Sequence, residues 1–399
     1  MQSDPGTTSR VRPWWMTALL FFCAYMTFVY VPWDLFLKPL ARDEEVWFGI
    51  RFHGYAAKLL ALPHWAIYAA GMVGFWRMRR WMWPYAALYV AQVAIAMVVW
   101  PLVYVGGIRS IFLALASGAV FGGLAVALWR ARPLFQPPHV RLRDRYGEWA
   151  LVTGASAGIG REFARALARE GLSLVLVARR EDRLRELADE LEREHGAVTR
   201  IVALDLGQPG AAERLAEAVA GLELGVLVNN AGFGGIGPLV NQPPERVRSM
   251  VELNCATPAV LTRLLLPPML VRRRGAIVFV GSVAGMVPMP LHALYSATKS
   301  FDNLLGEALC EELRGTGVDV LALQPGSTET EFQQVAGEAA HTGESAQQVV
   351  DKALQALGEQ PSLVTQWIDW VRVNAAARLL SRPVLLALVR RATVTRLPR

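Results

Sequence analysis

The 399-residue sequence predicts an α/β protein in which a doubly wound parallel sheet follows an all-α membrane region of about four helices. Three observations support this prediction. Long apolar stretches fill the first 140 residues, a glycine-rich turn follows a short apolar segment at 149–153, and strand-like segments then alternate with amphipathic helical ones to residue 365. The hydrophobic fraction of 53% and the charged fraction of 19% exclude a disordered chain.

The positive charge is confined to the two flanks of the chain. Residues 1–148 hold fifteen basic and seven acidic side chains, residues 149–360 hold nineteen and twenty-six, and residues 361–399 hold seven and one. The net charge of +7 therefore accompanies the apolar flanks, so we expect a membrane partner and no nucleic acid. Three cysteines without a CxxC pair predict neither a disulfide framework nor a metal site.

These patterns divide the chain into three predicted regions. A membrane region covers residues 1–140, a nucleotide-binding domain covers 146–365, and a basic amphipathic segment covers 366–399. In the last region, arginines alternate with Trp and Leu residues. This pattern suits a helix on an anionic membrane surface, and equally a terminal helix packed on the domain or on another subunit.

Four stretches of the membrane region are long and apolar enough to cross a bilayer, which takes about 20 residues. They run over residues 14–31, 59–76, 81–105 and 110–129. Trp and Tyr residues cluster near their ends, where aromatic rings favour the headgroup level. A cleaved signal peptide and buried helices of a water-soluble core are the alternatives, and the number of stretches disfavours both.

The positions of Lys and Arg predict the orientation. Basic residues precede the first stretch, separate the second from the third and follow the fourth: Arg10, Arg12, Arg77, Arg79, Arg80, Arg130, Arg132, Arg141, Arg143 and Arg145. Basic residues on the opposite side are fewer and are diluted by acidic ones: Lys38, Arg42, Arg51 and Arg109. We therefore expect an integral membrane protein whose following domain faces the cytoplasm.

The glycine-rich turn predicts a dinucleotide site. Trp149 to Thr153 forms a buried strand pattern, and Gly154, Gly158 and Gly160 follow it in GxxxGxG spacing before a helical pattern begins. Glycines let the backbone approach a pyrophosphate closely and aim the helix N-terminus at the anion. Six further strands are predicted, at residues 173–178, 198–204, 225–229, 276–280, 318–323 and 362–365. Their alternation with helices indicates a Rossmann-type sheet.

The motifs in this region resemble those of the short-chain dehydrogenase/reductase family over about 215 residues. They occur in the family's order: Thr153-Gly154-x-x-x-Gly158-Ile159-Gly160, Asp205-Leu206, Asn229-Asn230-Ala231-Gly232, Asn254, Ser282, Tyr295-x-x-x-Lys299 and Pro325-Gly326-x-x-x-Thr330. The resemblance implies a nicotinamide-dependent enzyme with catalytic residues Ser282, Tyr295, Lys299 and Asn254. The cofactor-binding residues it places are Gly154, Ser156, Gly158, Ile159, Gly160, Arg179, Asp205, Asn230, Tyr295, Lys299, Pro325 and Thr330.

The catalytic set has a simple chemical basis. Tyr295 and Lys299 are four residues apart and share one face of a helix. A nearby ammonium favours the phenolate, so a tyrosine whose ordinary pKa is about 10 becomes usable as an acid and base. Ser282 can hydrogen-bond the same substrate oxygen. The resemblance implies that Asn254 holds a water that supplies protons to Lys299.

Arg179 follows the second strand, where enzymes that prefer NAD carry an acidic residue for the ribose hydroxyl. A guanidinium suits a 2′-phosphate in charge and geometry, which favours NADP(H) over NAD(H). Arg179 and Arg180 would contribute nothing if both were solvated, and Glu181 and Asp182 dilute their charge.

The substrate class follows from the apolar surroundings. Residues 283–291 lead into Tyr295, are nearly all apolar, and would wall the substrate pocket. With a membrane anchor, they predict an oxidoreductase that interconverts a lipophilic ketone and a secondary alcohol of ketoacyl, steroid or similar type. The resemblance implies a homo-oligomer, which membrane anchors would restrict. The alternatives are a nucleotide-sensing regulatory or scaffold module, and a separate activity of the membrane region.

Overall fold

The computed structural model describes residues 12–135, 140–337 and 342–394. Arg10, which entered the orientation argument, lies outside the described residues. The chain divides into two compact units, residues 1–139 and 140–399.

The first unit is built from apolar helices. Its helices are α1 (Trp14–Phe36, with a π-helical segment at Met26–Tyr30), α2 (Gly54–Trp76), α3 (Met82–Tyr104), α4 (Gly107–Arg130) and α5 (Arg132–Phe135). Within the described residues, the first four are long and apolar enough to cross a membrane, which confirms the predicted helices. At most 22% of each apolar window is buried within the protein, as suits helices that face lipid. The second helix begins five residues before the predicted start.

A charged cluster lies in the first unit between α1 and α2. An antiparallel hairpin of β1 (Glu44–Trp47) and β2 (Ile50–His53) joins these helices. The Lys38 ammonium lies 2.7 Å from Asp34 and 3.2 Å from Asp43, and the Lys58 ammonium lies 3.0 Å from Asp43. Asp34 and Asp43 are almost fully buried, so these ion pairs compensate charges that water does not reach.

The second unit is a seven-stranded parallel sheet covered by helices. Its strands are β3 (Trp149–Thr153), β4 (Ser173–Ala178), β5 (Thr199–Ala203), β6 (Leu224–Asn229), β7 (Gly275–Val280), β8 (Val318–Gln324) and β11 (Ser362–Val364). Between β8 and β11 in the sequence lie β9 (Thr328–Glu329) and β10 (Glu344–Ser345), which form a separate two-stranded parallel pair. The spatial order is β11-β8-β7-β6-β3-β4-β5. All seven predicted strands of the large sheet are present, which confirms the Rossmann-type fold.

Helices precede, connect and follow the strands of this sheet. They are α6 (Leu142–Tyr146), α7 (Gly158–Arg169), α8 (Glu181–His195), α9 (Ala211–Ala218), α10 (Pro244–Val251), α11 (Thr257–Arg272), α12 (Ala293–Glu312), α13 (Phe332–Ala336), α14 (Ala346–Ala356), α15 (Trp367–Leu379) and α16 (Arg382–Val394). One core packs α7, α8 and α14 against the sheet, and a second core packs α9, α11 and α12 against its other face. Burial on both faces explains why the inner strands β4, β6 and β7 are nearly continuous apolar runs.

The parallel arrangement brings the functional motifs together. The carboxyl ends of β3, β4, β6, β7 and β8 meet at one edge of the sheet. In open α/β sheets, ligands bind in the crevice outside this edge. The glycine turn and the predicted catalytic residues all follow these strand ends in the sequence.

An ion-pair network fixes the helix that follows the glycine turn. Arg161 and Arg165 of α7 both donate to the Glu190 carboxylate of α8, at 3.1 and 2.9 Å. Hydrogen bonds from Arg165 lower the pKa of Glu190 to about 2, with Arg161 adding to the effect. A depressed pKa means that this carboxylate stabilises the fold above its ordinary pKa, and that the stabilisation is lost as the pH falls through the folded-state value.

We expect Glu190→Gln to lower the thermal unfolding temperature of the full chain at neutral pH. The difference from the parent protein shrinks as the pH falls from about 4.5 toward 2, because the carboxylate is then protonated. Circular dichroism at a series of pH values measures it. Glu194→Gln is the control, since Glu194 pairs with its exposed neighbour Arg193. A difference that does not change with pH would contradict the assignment.

Candidate active site

The glycine turn is shaped by contacts that leave no room for a side chain. Gly154 adopts a left-handed conformation with φ of +69° at the end of β3. A Cβ atom on Gly160 would lie 2.4 Å from both the Gly154 carbonyl oxygen and the Asn230 amide nitrogen. The turn and the first residues of α7 therefore pack directly on the loop after β6. This leaves the N-terminus of α7 at the carboxyl edge, as a dinucleotide pyrophosphate requires.

Thr153 and Asn230 tie the two central strands together at this edge. The Thr153 hydroxyl accepts hydrogen bonds from the backbone N–H groups of Asn230 and Ala231, at 2.9 and 3.0 Å. The Asn230 side chain donates to the Thr153 carbonyl at 2.9 Å. The predicted cofactor residue Asn230 thus holds the backbone of the turn in place.

The remaining predicted cofactor residues surround this turn. Asp205 follows β5 and accepts from the Gly207 N–H at 3.0 Å. Ile159 packs against the core beneath α7. The Thr330 side chain faces Gly158, where an added Cβ would lie 3.0 Å from its methyl group. The Pro325 carbonyl accepts from the Ser282 hydroxyl at 3.4 Å. The turn, its glycines and these flanking side chains fit a bound dinucleotide.

The two arginines after β4 differ in their contacts. The Arg180 guanidinium donates to the Ser156 hydroxyl at 3.1 Å and pairs with Glu331 at 3.0 Å. Arg183 also pairs with Glu331, and both arginines lower the pKa of that carboxyl. Arg179 is exposed and has no hydrogen bond or ion pair within the described part of the chain. Arg180 is therefore the arginine bonded to the cofactor turn.

Three of the four predicted catalytic side chains, Ser282, Tyr295 and Lys299, lie on α12 and on the loop after β7. Ser282 is extended, and its hydroxyl accepts from the Ala284 N–H at 3.1 Å. Tyr295 and Lys299 lie one turn apart on α12. The Tyr295 ring lies against Phe332 and His292, with ring centres 5.4 and 6.3 Å away. Phe332 belongs to α13, which places an apolar side chain beside the phenol.

Lys299 is a buried ammonium with two strong partners. Its Nζ donates to the Val280 carbonyl at 2.6 Å and to the Asp302 carboxylate at 3.0 Å, and the residue is 5% exposed. Burial by itself lowers the pKa of Lys299, but the Asp302 carboxylate and the Tyr295 phenol more than offset it, and its pKa lies above the usual value. The lysine therefore stays positively charged at neutral pH beside the tyrosine.

Asn254 is fully buried in the π-helical segment Glu252–Ala256, between α10 and α11. Its amide oxygen accepts from the Phe233 N–H at 3.2 Å, and its nitrogen donates to the Phe233 carbonyl and the Thr298 hydroxyl, each at 3.0 Å. Thr298 in turn donates to the Tyr295 carbonyl at 2.8 Å. The side chain therefore connects the loop after β6 to the catalytic helix.

Asn303 is a site residue that the sequence motifs did not single out. Its amide nitrogen donates to the Ser282 carbonyl at 2.9 Å, and its oxygen accepts from the Ser282 N–H at 3.4 Å. It follows Lys299 by four residues, so the helical period that linked Tyr295 to Lys299 reaches it as well. Asn303 clamps both backbone groups of Ser282 to α12.

Known proteins are similar to this chain in sequence and in fold. The family model described as short chain dehydrogenase matches residues 148–341. A 7beta-hydroxysteroid dehydrogenase structure is 30% identical with a TM-score of 0.59, covering 63% of this chain and 99% of its own. A short-chain dehydrogenase from Sphingobium yanoikuyae, solved with NADPH, is 33% identical with a TM-score of 0.53, covering 58% and 94%. The chain belongs to the short-chain dehydrogenase/reductase family.

Curated relatives carry a more specific name. Very-long-chain 3-oxoacyl-CoA reductases from Pyricularia oryzae and Homo sapiens are 41% and 35% identical to this chain over 179 and 193 residues. These matches cover 44% and 47% of this chain. The chain spans only 54% and 62% of the length of those relatives.

We expect Asn303→Ala to lower kcat by about 10- to 100-fold, because Ser282 loses both backbone clamps and small misplacements near reacting atoms carry costs of that size. The dissociation constant for the nicotinamide cofactor should change little, since the side-chain hydrogen bonds of Asn303 within the described part of the chain go to the Ser282 backbone. Steady-state kinetics and cofactor fluorescence separate the two. A loss confined to cofactor binding would refute the positioning role.

Proposed function

We propose that the protein is a membrane-anchored, NADP(H)-dependent reductase that converts a lipophilic ketone to a secondary alcohol, or runs the reverse reaction. The observation that carries the proposal is the buried Lys299 ammonium on the same helix as Tyr295, beside a glycine turn shaped for a dinucleotide. A pure nucleotide sensor has no need of such a group. The sensor or scaffold alternative is therefore disfavoured.

The residues divide the chemistry between them. When bound, the nicotinamide supplies or accepts the hydride. Tyr295 donates its phenolic proton to the carbonyl oxygen in reduction and takes it back from the alcohol in oxidation. Ser282 hydrogen-bonds the same oxygen, and Lys299 stabilises the phenolate left on Tyr295. We assign Asn254 to the supply of protons toward Lys299, through a water held beside it.

The lipophilic substrate is supported by the pocket walls and by the relatives. Residues 286–291 are mostly apolar and only half-buried beside the catalytic loop. Phe332 adds an apolar ring against Tyr295. The names of the relatives include very-long-chain 3-oxoacyl-CoA and a 7beta-hydroxysteroid, both long or bulky lipophilic compounds. Lipophilic compounds of this kind partition into membranes, so a membrane-anchored enzyme would meet them there.

We propose further that the catalytic domain faces the cytoplasm and that the C-terminal helices lie on the membrane surface. Basic residues flank the predicted inner ends of the apolar helices. Exposed Trp367, Trp370 and Leu379 accompany arginines on α15, as in interfacial helices. A homo-oligomer is the remaining expectation from the family.

Tyr295→Phe should reduce turnover by about 100-fold or more, because the general acid is lost. We would measure oxidation of NADPH by the purified full chain with ketones of increasing chain length. The NADPH dissociation constant should stay within about threefold of the parent value. Full activity in the variant would overturn the mechanism. Tight NADPH binding without turnover of any ketone would restore the sensor alternative.

Arg180→Ala should weaken NADPH binding by about tenfold and leave NADH binding nearly unchanged, since a guanidinium recognises a 2′-phosphate through charge-assisted hydrogen bonds. Cofactor fluorescence titration of both nucleotides measures this. The same titrations of Arg179→Ala measure how much each of the two neighbouring arginines contributes to the preference for NADPH over NADH. Arg193→Ala on the far end of α8 is the control. Equal losses for NADH and NADPH would contradict the proposed cofactor choice.

A further inference from the structure

Asp302 is a buried carboxylate that the mechanism above leaves without a role. It follows Lys299 by three residues on α12 and is 4% exposed. Its Oδ2 atom accepts from the Lys299 ammonium at 3.0 Å. A carboxylate this deeply buried is costly unless it is paired, so its position beside the catalytic lysine requires a reason.

Only one of the two carboxylate oxygens is used within the described residues. Asp302 Oδ1 is buried and has no hydrogen-bond partner there. A small cavity near the carboxyl ends of β3 and β6 is lined in part by Asp302. Its other lining residues are Thr153, Asn229, Ala231, Leu253, Thr257 and Pro258. Because none of these side chains is ionisable, Lys299 is the counter-charge that faces Asp302.

Three ionisable side chains lie near Asp302. Lys299 and Tyr295 lie on the same helix, and the Cys255 thiol approaches from the π-helical segment. Burial keeps the pKa of Cys255 near 11, so this thiol stays neutral at physiological pH. The charged groups near Tyr295 on α12 are therefore the Lys299 ammonium and the Asp302 carboxylate. The His292 ring, whose centre lies 6.3 Å from that of Tyr295, is a further titratable group beside it.

We propose that Asp302 is a positioning residue that holds the Lys299 ammonium in place and sets the pH range in which Tyr295 keeps its proton. The carboxylate retains the proton on Lys299. It also offsets part of the positive charge that draws the proton off Tyr295. Because a negative charge makes proton loss from either member harder, the Tyr295–Lys299 pair as a whole loses its first proton at higher pH. The residue therefore extends the working range of the proton donor toward higher pH.

Asp302→Asn removes the charge with little change of shape. In ketone reduction, activity falls at high pH as the Tyr295–Lys299 pair loses its proton. We expect this basic limb of the kcat/KM profile to move down by about one pH unit in the variant. Asp302→Glu should restore the parent profile. Glu307→Gln removes a carboxylate of the same helix that bonds Gln324 and should leave the limb unmoved.

A second measurement does not depend on turnover. The ionisation of Tyr295 in the free protein is obtained from the ultraviolet absorbance of tyrosinate, as the difference between each protein and its Tyr295→Phe counterpart. We expect Tyr295 to ionise at lower pH in Asp302→Asn, because the Val280 carbonyl still holds the lysine. Asp302→Ala serves as a second charge-removing variant. Circular dichroism confirms that each variant is folded.

The kinetic arm rests on the proposed reductase function, and the absorbance arm does not. A shift in both supports the inference. If no ketone is reduced but the Tyr295 ionisation still moves down, the proposed function fails and the role of Asp302 stands. If Tyr295 ionises at the same or higher pH without the carboxylate, Asp302 does not set its proton affinity and the inference is overturned.

Discussion

The candidate active site is built around one ammonium that stays charged inside the protein. Lys299 is 5% exposed, and such a group would lose its proton if nothing replaced the water around it. The Val280 carbonyl at the end of β7 and the Asp302 carboxylate on α12 replace it. The sheet edge and the catalytic helix are thereby joined through the same charge that acts on Tyr295. The architecture around the site serves to hold these two elements in register.

The other lysines of the chain are also paired with carboxylates, as Lys299 is. The sequence holds four lysines among forty-one basic residues, and each forms an ion pair with a carboxylate. Three of these lysines pair with carboxylates that are almost fully buried: Asp34, Asp43 and Asp302. A lysine ammonium is a compact charge with three donors, whereas arginine has a rigid planar fork. Lysine therefore occurs in this chain where a single point charge must fit among backbone and carboxylate oxygens.

Much of this arrangement could be predicted from the sequence, because parallel strands buried on both faces are continuous apolar runs and the glycine turn has a fixed spacing. Other features could not. An Asp three residues after a Lys is a common helical spacing, so nothing marks Asp302 until its burial is known. Likewise, the β1–β2 hairpin brings Lys58 next to Asp43, and no sequence pattern around either residue predicts this ion pair. The distinction between Arg179 and Arg180 depends on which side chain points at Ser156.

Neutral amides provide the rigid frame for the charged pair. Asn230 fixes the cofactor turn, Asn254 fixes the loop after β6, and Asn303 fixes Ser282, each through backbone groups. A carboxamide can donate and accept at once, which matches an N–H and a C=O of the same peptide segment. An ionised residue in these positions would add a charge near Tyr295 and shift its proton affinity. Because amides hold these loops, the loop contacts add no charge to that of the Lys299–Asp302 pair.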